Sequence, residues 1–246
     1  MIDIIRSEWT KLRSVRSTMW TLGTAALLML AIGALMSIAV KNSHEGPVPP
    51  SGVAEVSLMG VNFAALAVAA LGALVVTSEY RTGAIRVSYM AVPRRLLLLA
   101  GKLVVFAAVA LAVCMAAAFA AFLVGRTILG GASLGDPGVL RAVTGTGLYL
   151  TACGLFGLAL GALVRHTPGA IVAAIGLILV LPQLTVMLPG QWGRTVNDWF
   201  TSNAGRQVAF PSEASSLGPW SGFAVYLGWI AVTLAAACVL TARRDA

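Results

Sequence analysis

Residues 78–102 read SEYRTGAIRVSYMAVPRRLLLLAGK and lie between two apolar runs, each long enough to cross a bilayer. Five basic residues (Arg81, Arg86, Arg94, Arg95, Lys102) stand here against one acid, Glu79. Lys and Arg accumulate on the cytoplasmic side of membrane proteins, so the stretch is expected there. It is too long for a hairpin turn and carries a helical pattern of its own. Ser78 and Glu79 suit a helix N-terminus. Ile85, Tyr89 and Val92 fall at i, i+4 and i+7. Pro93 ends that helix and can open the next at its first turn. Gly83 supplies a flexible or close-approach position. The expectation is a short helix parallel to the membrane. It serves either as a docking surface or as a basic anchor on lipid headgroups.

Working outward, six runs reach the roughly 20 apolar residues that a membrane helix needs. They are 19–40, 57–77, 103–125, 143–164, 170–188 and 222–242, and none contains Asp, Glu, Lys, Arg or His. The chain of 246 residues is 59% hydrophobic and 11% charged. A soluble fold of that length could not hide so much apolar surface, so the bilayer acts as part of the solvent. The fold class is therefore an all-α integral membrane protein with a single transmembrane domain over 1–246. The net charge of +8 is spread over the segments between spans and forms no stripe interleaved with aromatics, which argues against nucleic acid. With the N-terminus inside, the inner segments hold twelve basic residues and the outer ones five. That bias places both termini in the cytoplasm of a multi-pass plasma-membrane protein.

Residues 1–18 form a predicted interface helix, with Ile5, Trp9, Leu12 and Val15 on one face and Arg6, Arg13 and Ser17 on another. Glu8 can pair with Lys11 at i,i+3. The helix is an anchor, or it also forms part of a docking platform. On the outer side, 41–56 and 126–142 are rich in Gly and Pro and are expected to be irregular. The long outer loop, 189–221, carries Trp192, Trp199, Phe200, Phe210 and Trp220. It forms an interfacial aromatic belt, a lid dipping into the outer leaflet, or both. Cys114, Cys153 and Cys238 all fall in apolar runs and are expected to be small fillers.

Several chemistries have no residues to run on. The nearest approach to a phosphate loop is Ala100-Gly101-Lys102-Leu103, which lacks the upstream Gly and the hydroxyl, so this chain is not expected to hydrolyse ATP. His44 and His166 lie in different loops on opposite sides, which leaves a zinc site without ligands. Uncharged spans also argue against a proton-coupled carrier.

SEWTKLRSVRSTMW at 7–20, followed by SEYRTGAIRVSYMAVPRR at 78–95, resembles the membrane subunit of ABC-2-type ABC transporters, especially the compact permeases of actinobacteria. The chain departs from the family's frequent Thr after the Gly, having Ala84. The resemblance implies a type V exporter-like architecture and an ATPase-docking coupling loop at Glu79, Tyr80, Arg81, Thr82, Gly83, Ile85 and Arg86. Glu8, Trp9, Lys11 and Arg13 of the interface helix would support it. Two ATP-binding subunits, carrying ATP and Mg, and a second permease subunit, as in a homodimer, would complete an exporter. It further implies re-entrant helices in the loop before span six. No cofactor is expected on this chain itself.

The expected path lies between two copies and is lined by uncharged polar groups. Candidates are Asn62, Thr144, Thr146, Thr151 and Gln183, the last beside Pro182, where a kink would turn it inward. The competing use of the threonines is helix–helix hydrogen bonding. Gly157 and Gly161 form a small-xxx-small face suited to internal packing. Such a lining fits a drug, natural product, peptide or lipid, and would include multidrug or antibiotic resistance among the roles. Two other classes remain open at this point: a membrane immunity or sequestering protein without an ATPase, and a secondary carrier.

Overall fold

Uninterrupted apolar sequence with Ala and Leu in abundance favours helix, because in lipid every backbone N–H and C=O must be satisfied within the segment. The computed structural model describes residues 2–14, 16–43, 46–85, 90, 95–212 and 214–243. These are helical throughout their ordered elements. An N-terminal helix α1 (Ile2–Ser14) is followed by α2 (Arg16–Ser43), α3 (Pro50–Ser57), α4 (Val61–Thr82) and α5 (Arg95–Leu129). Then come α6 (Val139–Val164), α7 (Thr167–Ile175), a π turn (Gly176–Val180) and α8 (Leu181–Thr185). The chain closes with α9 (Gly190–Trp199), α10 (Thr201–Arg206) and α11 (Pro219–Arg243). Six stretches are long and apolar enough to span: Met19–Ser43, Val61–Thr82, Leu96–Leu129, Val139–Val164, Thr167–Thr185 and Pro219–Thr241.

The centre of the bundle is α6, 78% of whose most apolar window is buried by protein. Its glycines explain why. Gly157 and Gly161 lie against the backbone of Ala69 and Ala73 on α4, and Gly72 of α4 lies against Gly154 of α6. With no Cβ between them the two backbones approach closely, and dispersion and weak contacts replace a hydrophobic drive that lipid does not supply. Spans α2, α7–α8 and α11 are mostly exposed and form the periphery.

Of the two segments expected to be irregular, 126–142 is so over 130–138, while 41–56 carries a helix at its end. Within 41–56, Pro50 occupies the first turn of α3, where its missing N–H costs nothing, and so starts a helix where a break was expected. Val53 and Leu58 are fully buried. The chain re-enters to the depth of Met29, against which Gly60 packs, and Ser57 sits against Gly33 and Gly125. Backbone at that depth is tolerated because the turn is closed by hydrogen bonds from Leu58 N to Ala54 O (3.1 Å) and from Val61 N to Leu58 O (3.0 Å).

The long outer loop 189–221, read as an aromatic belt or a lid, contains the helices α9 and α10. Thr201, Ser202, Ala204 and Gly205 are buried, and Gly205 packs on Tyr226 and Tyr149. Span five is broken in step with it. Pro182 has no N–H, so Ile178 O, its α-helical acceptor, and Leu177 O, its π-helical one, would go unpaired. Ser202 Oγ donates to Ile178 O (2.7 Å) and Thr201 Oγ1 donates to Leu177 O (2.5 Å). The break that Pro182 was expected to cause is thus a π turn upstream of it, with α10 hydroxyls filling the gap. Cys114 and Cys153 are buried and all three cysteines are free. Tyr226 Oη donates to Cys153 Sγ at 3.3 Å.

Replacing Gly157 by Val puts a side chain into the Ala69 backbone. It is expected to cost about 3 kcal/mol, the upper end for overpacking, and to lower the melting temperature in detergent. Gly23→Ala, which meets nothing within 4 Å, is expected to be neutral or slightly stabilising.

Candidate functional site

The helix α1 lies across the start of α5, and the face it buries against protein coincides only in part with the apolar one. Trp9 is 51% exposed, while Glu8 and Leu12 are buried and Ile4, Ile5 and Lys11 are half-buried. Val15 lies outside the described residues. Ile4 rests on Gly101, where a Cβ would come within 2.6 Å of Ile4 Cγ2. That close approach brings Glu8 onto the neighbouring Lys102.

Four charged side chains meet there. Lys102 Nζ donates to Glu8 Oε2 at 2.7 Å and to Glu79 Oε1 at 2.8 Å. Lys11 Nζ donates to Glu8 Oε1 at 2.6 Å and to Glu79 Oε1 at 3.2 Å. The side chains of Glu8, Lys102, Glu79 and Lys11 are 1%, 5%, 12% and 41% exposed. Two cations and two anions balance, so the desolvation that would penalise any one of them is compensated by its partners. The cluster ties α1, α4 and α5 into one body. Burial works to raise the Glu8 pKa, but the Lys102 and Lys11 ammonium groups outweigh it and hold the carboxyl below its usual range. Burial likewise works to lower that of Lys11, and Glu8 and Glu79 overcome it and raise it. Glu79 Oε2 is buried with no hydrogen-bond partner among the described residues.

Just beyond the cluster α4 ends at Gly83, whose φ of 71° is the left-handed cap geometry that glycine adopts without strain. Helical structure resumes at once with Ala84 and buried Ile85. Arg81 and Thr82 are exposed. Tyr80 is half-buried beneath the Arg165 guanidinium, 5.2 Å from ring centroid to Cζ. Arg165 Nη2 in turn donates to Thr241 Oγ1 (3.2 Å), so the α6–α7 turn and the end of α11 join the same assembly. Arg86, Tyr89, Val92, Pro93 and Arg94 lie outside the described residues, as do His44 and Arg244. A groove of about 470 Å³ runs from the cluster between α1 and α4, with Leu71, Leu74 and Val75 in its wall and Lys11, Glu79 and Arg81 at its charged mouth.

The structure gathers Glu8, Lys11, Glu79, Tyr80, Arg81, Thr82, Gly83 and Ile85 at one end of the bundle. Trp9 and Arg13 point away, exposed, on the opposite face of α1. It does not gather the path candidates. Asn62 and Gln183 are exposed, Thr146 is fully buried, and none lines either large cavity. The threonine hydroxyls bond within their own helix: Thr146 Oγ1 to Ala142 O (2.7 Å), Thr151 Oγ1 to Gly147 O (2.8 Å) and Thr144 Oγ1 to Leu140 O (2.8 Å). The residue missed as a partner is Lys102, read in the sequence as a basic loop residue and as part of an incomplete phosphate loop. The available signal was that Glu8 and Glu79, two acids in basic surroundings, each needed a cation when buried.

Six candidate membrane spans, two of them tied by charge to the N-terminal helix, describe a multi-pass membrane protein. The chain belongs to the ABC-2 transporter family: residues 4–184 match the family described as ABC-2 family transporter protein. No curated protein matches it. Members of this family are multi-pass membrane transport subunits, generally non-catalytic, and usually pair with an ATP-binding subunit.

Removing one partner of a buried charge cluster strands the others, so Glu8→Ala is expected to cost about 3–5 kcal/mol. The pH dependence has a definite sign. Glu8's contribution is complete above the ordinary carboxyl value of 4.5 and is lost as pH falls through its lower folded value. Lys11's is complete below 10.5 and is lost as pH rises through its higher folded value. Melting temperature in detergent is therefore expected to hold level between those limits and fall on the acid side. In Glu8→Gln the plateau is lower and the acid fall shallower.

Proposed function

We propose that this chain is the membrane-spanning half of an ATP-driven exporter. A separate ATP-binding subunit would dock at the end where α1, α4 and α5 meet. The observation that carries this reading is the Glu8–Lys11–Glu79–Lys102 cluster. It ties α1 to the ends of α4 and α5, so a push on α1 or on the end of α4 at Gly83 is delivered to both spans together. The charged groove mouth and the exposed Arg81 and Thr82 offer the contact surface. The basic bias of that end supports its placement in the cytoplasm, with both termini.

In this reading two ATP-binding subunits, holding ATP and Mg, close on nucleotide. Two copies of this chain, as a homodimer, then alternate between inward and outward opening. The shift is bounded by the difference in partner affinity between the two states. Uncharged spans fit a drug, natural product, peptide or lipid as the exported substrate, which makes resistance to an antibiotic a physiological use.

The test is co-purification from detergent of the tagged chain with a co-expressed ATP-binding subunit, repeated with Arg81→Ala, Thr82→Ala and Gly83→Val. The variants are expected to remain monodisperse and to lose the partner at least tenfold. Undiminished capture by all three would sink the docking assignment.

A further inference from the structure

At the opposite end, α9 and α10 and the chain after them enclose a second cavity of about 440 Å³. It lies at the end of the bundle away from the charge cluster and outside the stretch that matches the family. Its polar wall is Arg194, Asn197, Asp198, Asn203, Arg206 and Gln207.

The hydrogen bonds around it are lopsided. Asn197 Oδ1 accepts from Thr185 Oγ1 (2.9 Å) and from Asn203 Nδ2 (2.7 Å). Gln207 Oε1 accepts from Ser212 N at 2.8 Å. Asp198 Oδ2 accepts from both Ser216 N and Ser216 Oγ, each at 2.8 Å. Asn197 Oδ1, Gln207 Oε1 and Asp198 Oδ2 are thus occupied by the wall's own framework, while Asp198 Oδ1 and Asn203 Oδ1 have no donor among the described residues. Among the described residues the Arg194 and Arg206 guanidiniums form no ion pair. The amide nitrogens of Asn197 and Gln207, whose oxygens are bound, are left to donate. Glu213 lies outside the described residues. A cavity with two guanidiniums and more free donors than free acceptors suits a group that only accepts, and the guanidinium fork fits phosphate oxygens.

We infer that this cavity binds the phosphate group of a membrane lipid headgroup. The lipid source follows from its surroundings. Trp192 and Trp199 on α9, Trp220 at the start of α11, and Met187 and Leu188 just before α9 are all exposed. Exposed tryptophans gather at headgroup depth, so the cavity opens where lipid phosphates lie. The inference does not depend on the docking or export reading, since it concerns neither the charge cluster nor a partner protein.

The purified full chain in maltoside micelles would be titrated with dihexanoylphosphatidylglycerol, with dihexanoylglycerol as the phosphate-free control and inorganic phosphate as competitor. Saturable binding of the phospholipid is expected, with Arg194→Gln and Arg206→Gln each weakening it about tenfold, the scale of a charge-assisted hydrogen bond. Arg194→Lys, which keeps charge without the fork, is expected to fall between. Arg194 is exposed, so its variants report even where Arg206→Gln does not fold. Equal binding by Arg194→Gln and the parent chain, or equal binding of the phosphate-free control, would overturn the site. Displacement by inorganic phosphate at matching concentration would overturn the lipid source and assign the cavity to free phosphate.

Discussion

The Lys102 ammonium sits between two carboxylates that come from helices 94 and 23 residues away in sequence, and nearly all water is excluded from it. Each charge is tolerable there only because the others are present. Coulomb attraction at this low exposure is stiff in a way that apolar packing is not. A methyl group can slide over a leucine at little cost, whereas an ammonium cannot leave two oxygens without finding replacements. Three elements that would otherwise be joined by dispersion alone therefore move as one.

The rest of the bundle is held by a different kind of economy. Between α4 and α6 the contact is nearly backbone to backbone, through Gly72, Gly154, Gly157 and Gly161. The same device recurs where Ser57 packs against Gly33 and Gly125, and where Ala204 O lies against Gly222. Small residues bury little apolar area, but lipid offers no hydrophobic drive for larger ones to exploit. Close approach then becomes the main source of cohesion. It also explains how α3 and α10, both short, can lodge inside a bundle of spans without opening gaps.

Span number and the presence of an N-terminal helix were legible because hydropathy and length are properties of contiguous sequence. The internal use of Gly157 and Gly161 was legible from spacing, as was the Glu8–Lys11 pair. What escaped was non-local. Nothing near residue 8 names Lys102 as its partner. The wheel weighs side chains by hydrophobicity and so gave no sign that the charge cluster turns α1 until a glutamate faces the protein interior. Gly and Pro in 41–56 indicated a break, but Pro at a first helical position starts a helix. The π turn could not be read at all, since it depends on two hydroxyls twenty-four residues further on.

Those two hydroxyls carry a consequence for movement. With Leu177 O and Ile178 O bonded to Thr201 and Ser202, the bend in span five and the position of α10 are one mechanical variable. Straightening the bend would strip two carbonyls of their donors in a setting where water does not reach to replace them. Tilting α10 would do the same from the other side. The span and the cap above it are thus geared together, and whatever turns one turns the other.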